Sequence, residues 1–140
     1  MAVTAKDFLD AKEIAFIGFS GNEKSFSRGV YADFVASGMK VYPVNLRSFT
    51  EGDIKVYGSV GEIANPPDKA YALINKENAK KLVASLVGSP VRKLWLQDAD
   101  EELLESCHKA GIETFVGCPR MYLSKGFMHR VHGFFAGAKR

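Results

Sequence analysis

Cysteine is scarce in this chain. Cys107 and Cys118 are the only two among 140 residues, too few for a disulfide framework and without zinc-ligand spacing around them. Free thiols in a reducing compartment are the simplest expectation, with a single bridge left open. Long hydrophobic runs are also missing: the apolar stretches last a few residues, where a bilayer span needs roughly 20. Residues 1–10 carry Lys6, Asp7 and Asp10 where a signal peptide would need an apolar stretch, so a cytoplasmic location is expected. A strong net charge is absent as well, with 19 Lys and Arg against 16 Asp and Glu. The slight basicity belongs to residues 119–140, which hold Arg120, Lys125, Arg130, Lys139 and Arg140 and no acid. The rest of the chain therefore gives no argument for nucleic-acid binding. What is present is a 46% hydrophobic, 25% charged composition without repeats or low-complexity tracts, as expected of one globular domain with a substantial core.

Apolar patterning then sets the elements. Thr4 with Asp7 three residues on reads as a capping box for a short leading helix ending near Lys12. Ile14-Ala15-Phe16-Ile17, closed by Gly18, has no polar alternation, as in a strand covered on both faces of a parallel sheet. From Ser25 or Ser27, Val30, Tyr31, Phe34 and Val35 recur at helical spacing until Ser37-Gly38, and Val41-Tyr42-Pro43-Val44 predicts a second strand. Lys69-Ala70-Tyr71-Ala72-Leu73-Ile74 predicts a third, followed by a helix capped by Asn75 or Asn78. A fourth strand is expected over 92–97, a helix capped by Asp98 or Asp100 over 101–110, and a fifth strand over 112–116. Strands alternating with helices predict a three-layer Rossmann-like α/β fold, a five-stranded parallel sheet flanked by helices, with strand order 3-2-1-4-5. Residues 45–67 form the longest irregular stretch, with a short helix expected near 60–64.

In such sheets a ligand sits beyond the carboxyl ends of the strands where the crossovers reverse, here expected between the first and fourth strands. The loop from Gly18 to Arg28 carries two glycines, three hydroxyls, Lys24 and Arg28 into a helix N-terminus, which suits a phosphate. The dinucleotide pattern G-x-G-x-x-G is absent, and Asn45 stands where an NAD site would place an acid for the ribose. Walker A is missing too.

The run Ile14 to Ser20, the opening Ser25 to Arg28, Val41-Tyr42-Pro43-Val44-Asn45, Val56-Tyr57-Gly58-Ser59, and Gly111-Ile112 leading to Cys118-Pro119 resemble the small stand-alone coenzyme A-binding proteins. Those in turn are similar to the CoA-binding N-terminal domain of the succinyl-CoA synthetase α subunit. The resemblance covers about residues 10–123. It implies coenzyme A or acyl-CoA as ligand, its phosphates on Gly18, Phe19, Ser20, Lys24, Ser25 and Arg28, with Pro43, Val44, Asn45 and Arg47 bordering adenine and ribose. Asn75 and Lys76 would close the site. This chain departs from the family pattern in having Phe19 where a small residue is usual, and Val116-Gly117 where an acidic-basic pair is common. The resemblance implies binding and no reaction.

Other candidates weigh less. Cys118, before Pro119 and near Arg120, is a candidate reactive thiol, while Cys107 lies with Leu103 and Leu104 on an apolar helix side and reads as core. His129 and His132 share a helical face without a third ligand, so no metal is expected. The acids from Asp98 to Glu102 read as a cap and a favourable first turn. No general acid-base pair stands out, so catalysis is not expected. The alternative is an NAD(P)-binding Rossmann-type enzyme or redox sensor, with Arg47 taking the 2′-phosphate. The chain divides into a binding domain over 1–125 and an amphipathic helix over 126–140, whose Phe127, Val131, Phe134 and Phe135 would pack on the domain or on a second subunit in a homodimer. No nucleic-acid or membrane partner is expected.

Overall fold

The computed structural model describes residues 4–45 and 49–123. The leading helix α1 spans Ala5–Leu9, shorter than its expected end near Lys12, and the Thr4 N–H donates to Asp7 Oδ2 at 2.8 Å as the capping box requires. The strands β1 (Glu13–Ile17) and β2 (Lys40–Val44) flank α2 (Phe26–Ala36), for which Ser25 is the cap, its Oγ accepting from the Arg28 N–H. Further along come β3 (Phe49–Glu51), β4 (Ile54–Val56), a 3-10 turn at Val60–Glu62, and β5 (Lys69–Ala72). The chain continues through α3 (Lys76–Leu86), β6 (Lys93–Leu96), α4 (Glu101–Lys109), β7 (Glu113–Val116) and α5 (Arg120–Leu123). Asn75 and Asp100 are the caps of α3 and α4, accepting from Asn78 and Leu103.

The five parallel strands are ordered β2-β1-β5-β6-β7, so the fold is the expected Rossmann-like α/β sheet with one correction. The third of the five expected strands, β5, lies between the first and the fourth instead of outside the second. Numbering only these five, the order is 2-1-3-4-5, and the reversal point moves to the gap between β1 and β5. A second correction concerns residues 45–67, which hold the β3-β4 hairpin, turned at Gly52 with φ +61, besides the short 3-10 turn.

Both faces of the sheet are covered, and the two faces differ chemically. Phe16, Tyr71, Trp95 and Phe115 are aligned by the strand register, with consecutive ring centroids 5.0, 6.3 and 5.2 Å apart. They pack with Phe8 of α1, Phe34 of α2 and Leu123 of α5. The alternate residues Ala15, Ala70, Ala72, Leu94 and Leu96 face α3 and α4, together with Leu82, Val83, Leu86, Leu103 and Cys107. Cys107 is thus a core side chain, and burial pushes its thiol pKa up. Small residues on this second face let the helices approach closely, yet leave space at the carboxyl edge.

Candidate functional site

At that edge a cavity of about 390 Å³ opens where β1, β2 and β5 end. Ile17, Val44, Val60 and Leu82 make its apolar floor, and Asn45, Ser59, Asn75, Asn78 and Lys81 bring polar groups to it. It lies at the β1/β5 reversal point, with the capped N-terminal turn of α3 on one side. That turn carries the positive end of an 11-residue helix, and Lys81 adds a full charge.

Of the residues named from sequence, the fold brings Gly18, Val44, Asn45 and Asn75 to this cavity. Gly18 and Phe19 both donate to the Val44 carbonyl, at 2.9 and 3.2 Å, which binds the end of β1 to the end of β2. Asn45 Nδ2 donates to the Phe19 carbonyl at 2.7 Å, and the Asn45 N–H to Tyr57 at 2.8 Å. Pro43 is buried in β2 and accepts from the Tyr57 N–H. The Phe19 ring is wholly buried among the aromatic residues, with the Arg28 guanidinium 4.6 Å from its centroid. Phe19 is thus placed in the core, and its position beside the site is set by its backbone.

The loop after β1 spends much of its hydrogen-bonding capacity on itself. Ser27 Oγ donates to the Gly18 carbonyl and accepts from the Ser20 N–H; Ser20 Oγ accepts from Asn22, and Asn22 Oδ1 from Lys24. Arg28 Nη1 donates to the Ser20 carbonyl at 3.2 Å. Among the described residues, the N–H groups of Gly21 and Phe26 take no part in this network. Lys24 is exposed and Ser25 half-buried at the mouth of α2. Cys118 is half-exposed beyond β7 and is not among the residues lining the cavity. Arg47, the Lys76 side chain, His129, His132 and the helix expected over 126–140 lie outside the described residues.

Ser59, quoted from sequence for the resemblance alone, and Lys81 and Ser85 were not named as site residues, although all three line the cavity. The trace was there: Asn75, Asn78, Lys81 and Ser85 recur in steps of three and four, one face of a helix. Such a stripe also describes an ordinary solvated face, and only the tertiary position of α3 separates the two. Among the described residues, no group of three or more His, Cys, Asp and Glu is placed to hold a metal, and no helix is long and apolar enough to cross a membrane.

Comparison with known proteins bears on this geometry. Residues 12–123 match the family model of the CoA binding domain. The α subunit of the ADP-forming acetate–CoA ligase II of Pyrococcus furiosus is 29% identical over 118 residues, 75% of this chain and 26% of the ligase subunit. The chain therefore spans about a quarter of that relative's length. A conserved hypothetical protein from Pyrococcus furiosus is similar in structure with a TM-score of 0.69 at 27% identity, covering 76% of this chain and 93% of that one. A dinucleotide-forming acetyl-coenzyme A synthetase from Ca. Korarchaeum cryptofilum, solved with phosphate and ADP, shares the fold with a TM-score of 0.70 at 17% identity, over 81% of this chain and 27% of that one.

Proposed function

The chain belongs to the CoA binding domain family, and on that premise we propose that it binds coenzyme A or an acyl-CoA through the nucleotide and its phosphates, as a binding module without chemistry of its own. The observation that carries this reading is the cavity at the β1/β5 reversal point, where apolar floor, helix N-terminus and lysine converge. An adenine needs a flat apolar surface edged by hydrogen-bonding groups, which Val44, Val60 and Asn45 supply. Phosphates need N–H donors and cations, which the first turn of α3, Lys81, and Lys24 with Ser25 and Arg28 at the adjoining loop supply. Gly18 and Ser20 keep that loop close, Pro43 and Arg47 border the nucleotide from the β2 side, and Lys76 closes it from α3. The domain over 1–125 is the binding unit in this reading, and residues 126–140 pack on it or on a second copy.

Titration calorimetry on the whole chain tests the reading. Coenzyme A and 3′-phospho-ADP bind, and both bind more tightly than NAD. Equal or tighter binding of NAD overturns it in favour of an NAD(P)-binding Rossmann protein.

A further inference from the structure

A seam runs between α2 and α5, and Arg120 ties it. Its Nε donates to Asp33 Oδ2 at 2.9 Å, and its guanidinium lies 6.0 Å from the centroid of the Phe26 ring and close over Gly29, where a Cβ would meet Nη1 at 2.9 Å. Tyr122 packs on Trp95 and Phe115, and Leu123 is buried in the same cluster. The backbone of α5 is thus anchored on both sides of Met121. Two large apolar side chains of these helices are nevertheless left to water, Phe26 at 46% exposure and Met121 at 72%.

We propose that residues 124–140 of the same chain dock on this seam, laying the face of Phe127, Val131, Phe134 and Phe135 over Met121 and Phe26. The inference settles on one of the two packings offered above for that segment, and it stands without the ligand. Reach favours it: the segment starts directly after Leu123 and as a helix extends about 25 Å, while the Arg120 guanidinium, three residues earlier, already lies beside Phe26. Area separates it from a second copy. The two exposed side chains offer on the order of 200 Å², against roughly 800 Å² per partner in a stable dimer. A tether makes so small a surface sufficient, because it turns association into an intramolecular step at high effective concentration. The segment's four large side chains and the two on the seam then leave water together. Phe26 follows Ser25, the cap of α2, so the docked segment borders the loop that carries Lys24.

A double-mutant cycle on the whole chain tests the docking. Met121→Glu and Val131→Glu each lower the Tm by about 4 °C or more, since either puts a charge into the contact. The double variant melts close to the single ones, because one contact can be broken only once. Additive shifts, or single variants that melt like the wild type, overturn the inference. Hydrogen exchange on the same proteins gives a second reading: amides of residues 127–135 are protected in the wild type and lose that protection in Met121→Glu. Equal exchange in the two proteins overturns the inference as well. Sedimentation shows a monomer throughout. A dimer that Met121→Glu dissociates overturns the inference by assigning the seam to a second copy. None of these measurements contains coenzyme A, so their failure leaves the CoA reading standing, and failure of the calorimetry above leaves the docking standing.

Discussion

Gly18 lies with its backbone pressed against the carbonyl of Leu73, so that a Cβ on Gly18 would overlap that oxygen. Its φ of +105 is a conformation that other residues rarely adopt. The Leu73 N–H meanwhile donates to Ile17 at 2.9 Å, so the two strand ends are held together on both sides of this contact. Gly18→Ala therefore destabilises the fold by about 2–4 kcal/mol, strain and overlap combined. Thermal denaturation shows it as a lowered Tm. An unchanged Tm means that the strand ends part without cost.

Asn45 takes the place where a ribose-binding acid stands in NAD proteins, and its amide is already engaged with the Phe19 carbonyl. Asn45→Asp removes the donor and sets a carboxylate against a carbonyl. The expected loss is about 1–3 kcal/mol of stability, with no gain of NAD binding by calorimetry. A variant of wild-type stability that binds NAD contradicts the structural role of this amide.

The basic residues at the edge separate into two kinds. Lys24 and Lys81 are exposed, so Lys24→Ala and Lys81→Ala weaken coenzyme A binding by roughly ten- to hundredfold with little change in the Tm of the free protein. Arg28 is half-buried against Phe19 and bonded to the Ser20 carbonyl, so Arg28→Ala lowers both affinity and Tm. Normal affinity in all three variants shows that the phosphates lie elsewhere.

Thiol labelling of the native protein modifies Cys118, and Cys107 only on unfolding, since Cys107 is fully buried. Burial raises the Cys107 pKa above its ordinary 9.0, so the unfolded chain loses this proton first. Stability from this group is full below that pH and declines as the pH climbs past it. Equal labelling rates of the two thiols in native conditions contradict the packing of α4.

At acid pH, Asp7 gives the opposite sign. The backbone N–H of Thr4 holds its carboxyl below the ordinary 3.8, so its contribution is present above that value and lost as the pH falls through the lowered one. The Tm difference between wild type and Asp7→Asn is therefore constant near neutrality and vanishes in strong acid. A difference that persists in strong acid assigns it to something other than the charge.

Local chemistry was enough to place nearly every element. The caps Thr4, Ser25, Asn75 and Asp100 act within three residues of themselves, and the apolar runs around Phe16, Tyr71 and Trp95 announce buried strands without reference to the rest of the chain. The β3-β4 hairpin was missed: the Gly52-Asp53 turn stood in the stretch expected to be irregular, because three-residue strands are too short to show alternation.

Strand order is a different kind of fact. A right-handed crossover from β2 can end on either side of the existing pair, and the chain from Asn45 to Asp68 is long enough for both. What distinguishes them is non-local: Tyr71 packs between Phe16 and Trp95, while Ala70 and Ala72 leave room for α3 on the opposite face. The sequence by itself determined a parallel Rossmann-like sheet, a glycine-serine loop after its first strand, and the resemblance to CoA-binding proteins. Tertiary structure alone decided that β5 stands beside β1, and so that Lys81 and Ser59 meet Asn45 around one cavity. Those residues are far apart along the chain, and side-chain volumes on the two faces of the sheet, more than any local preference, bring them together.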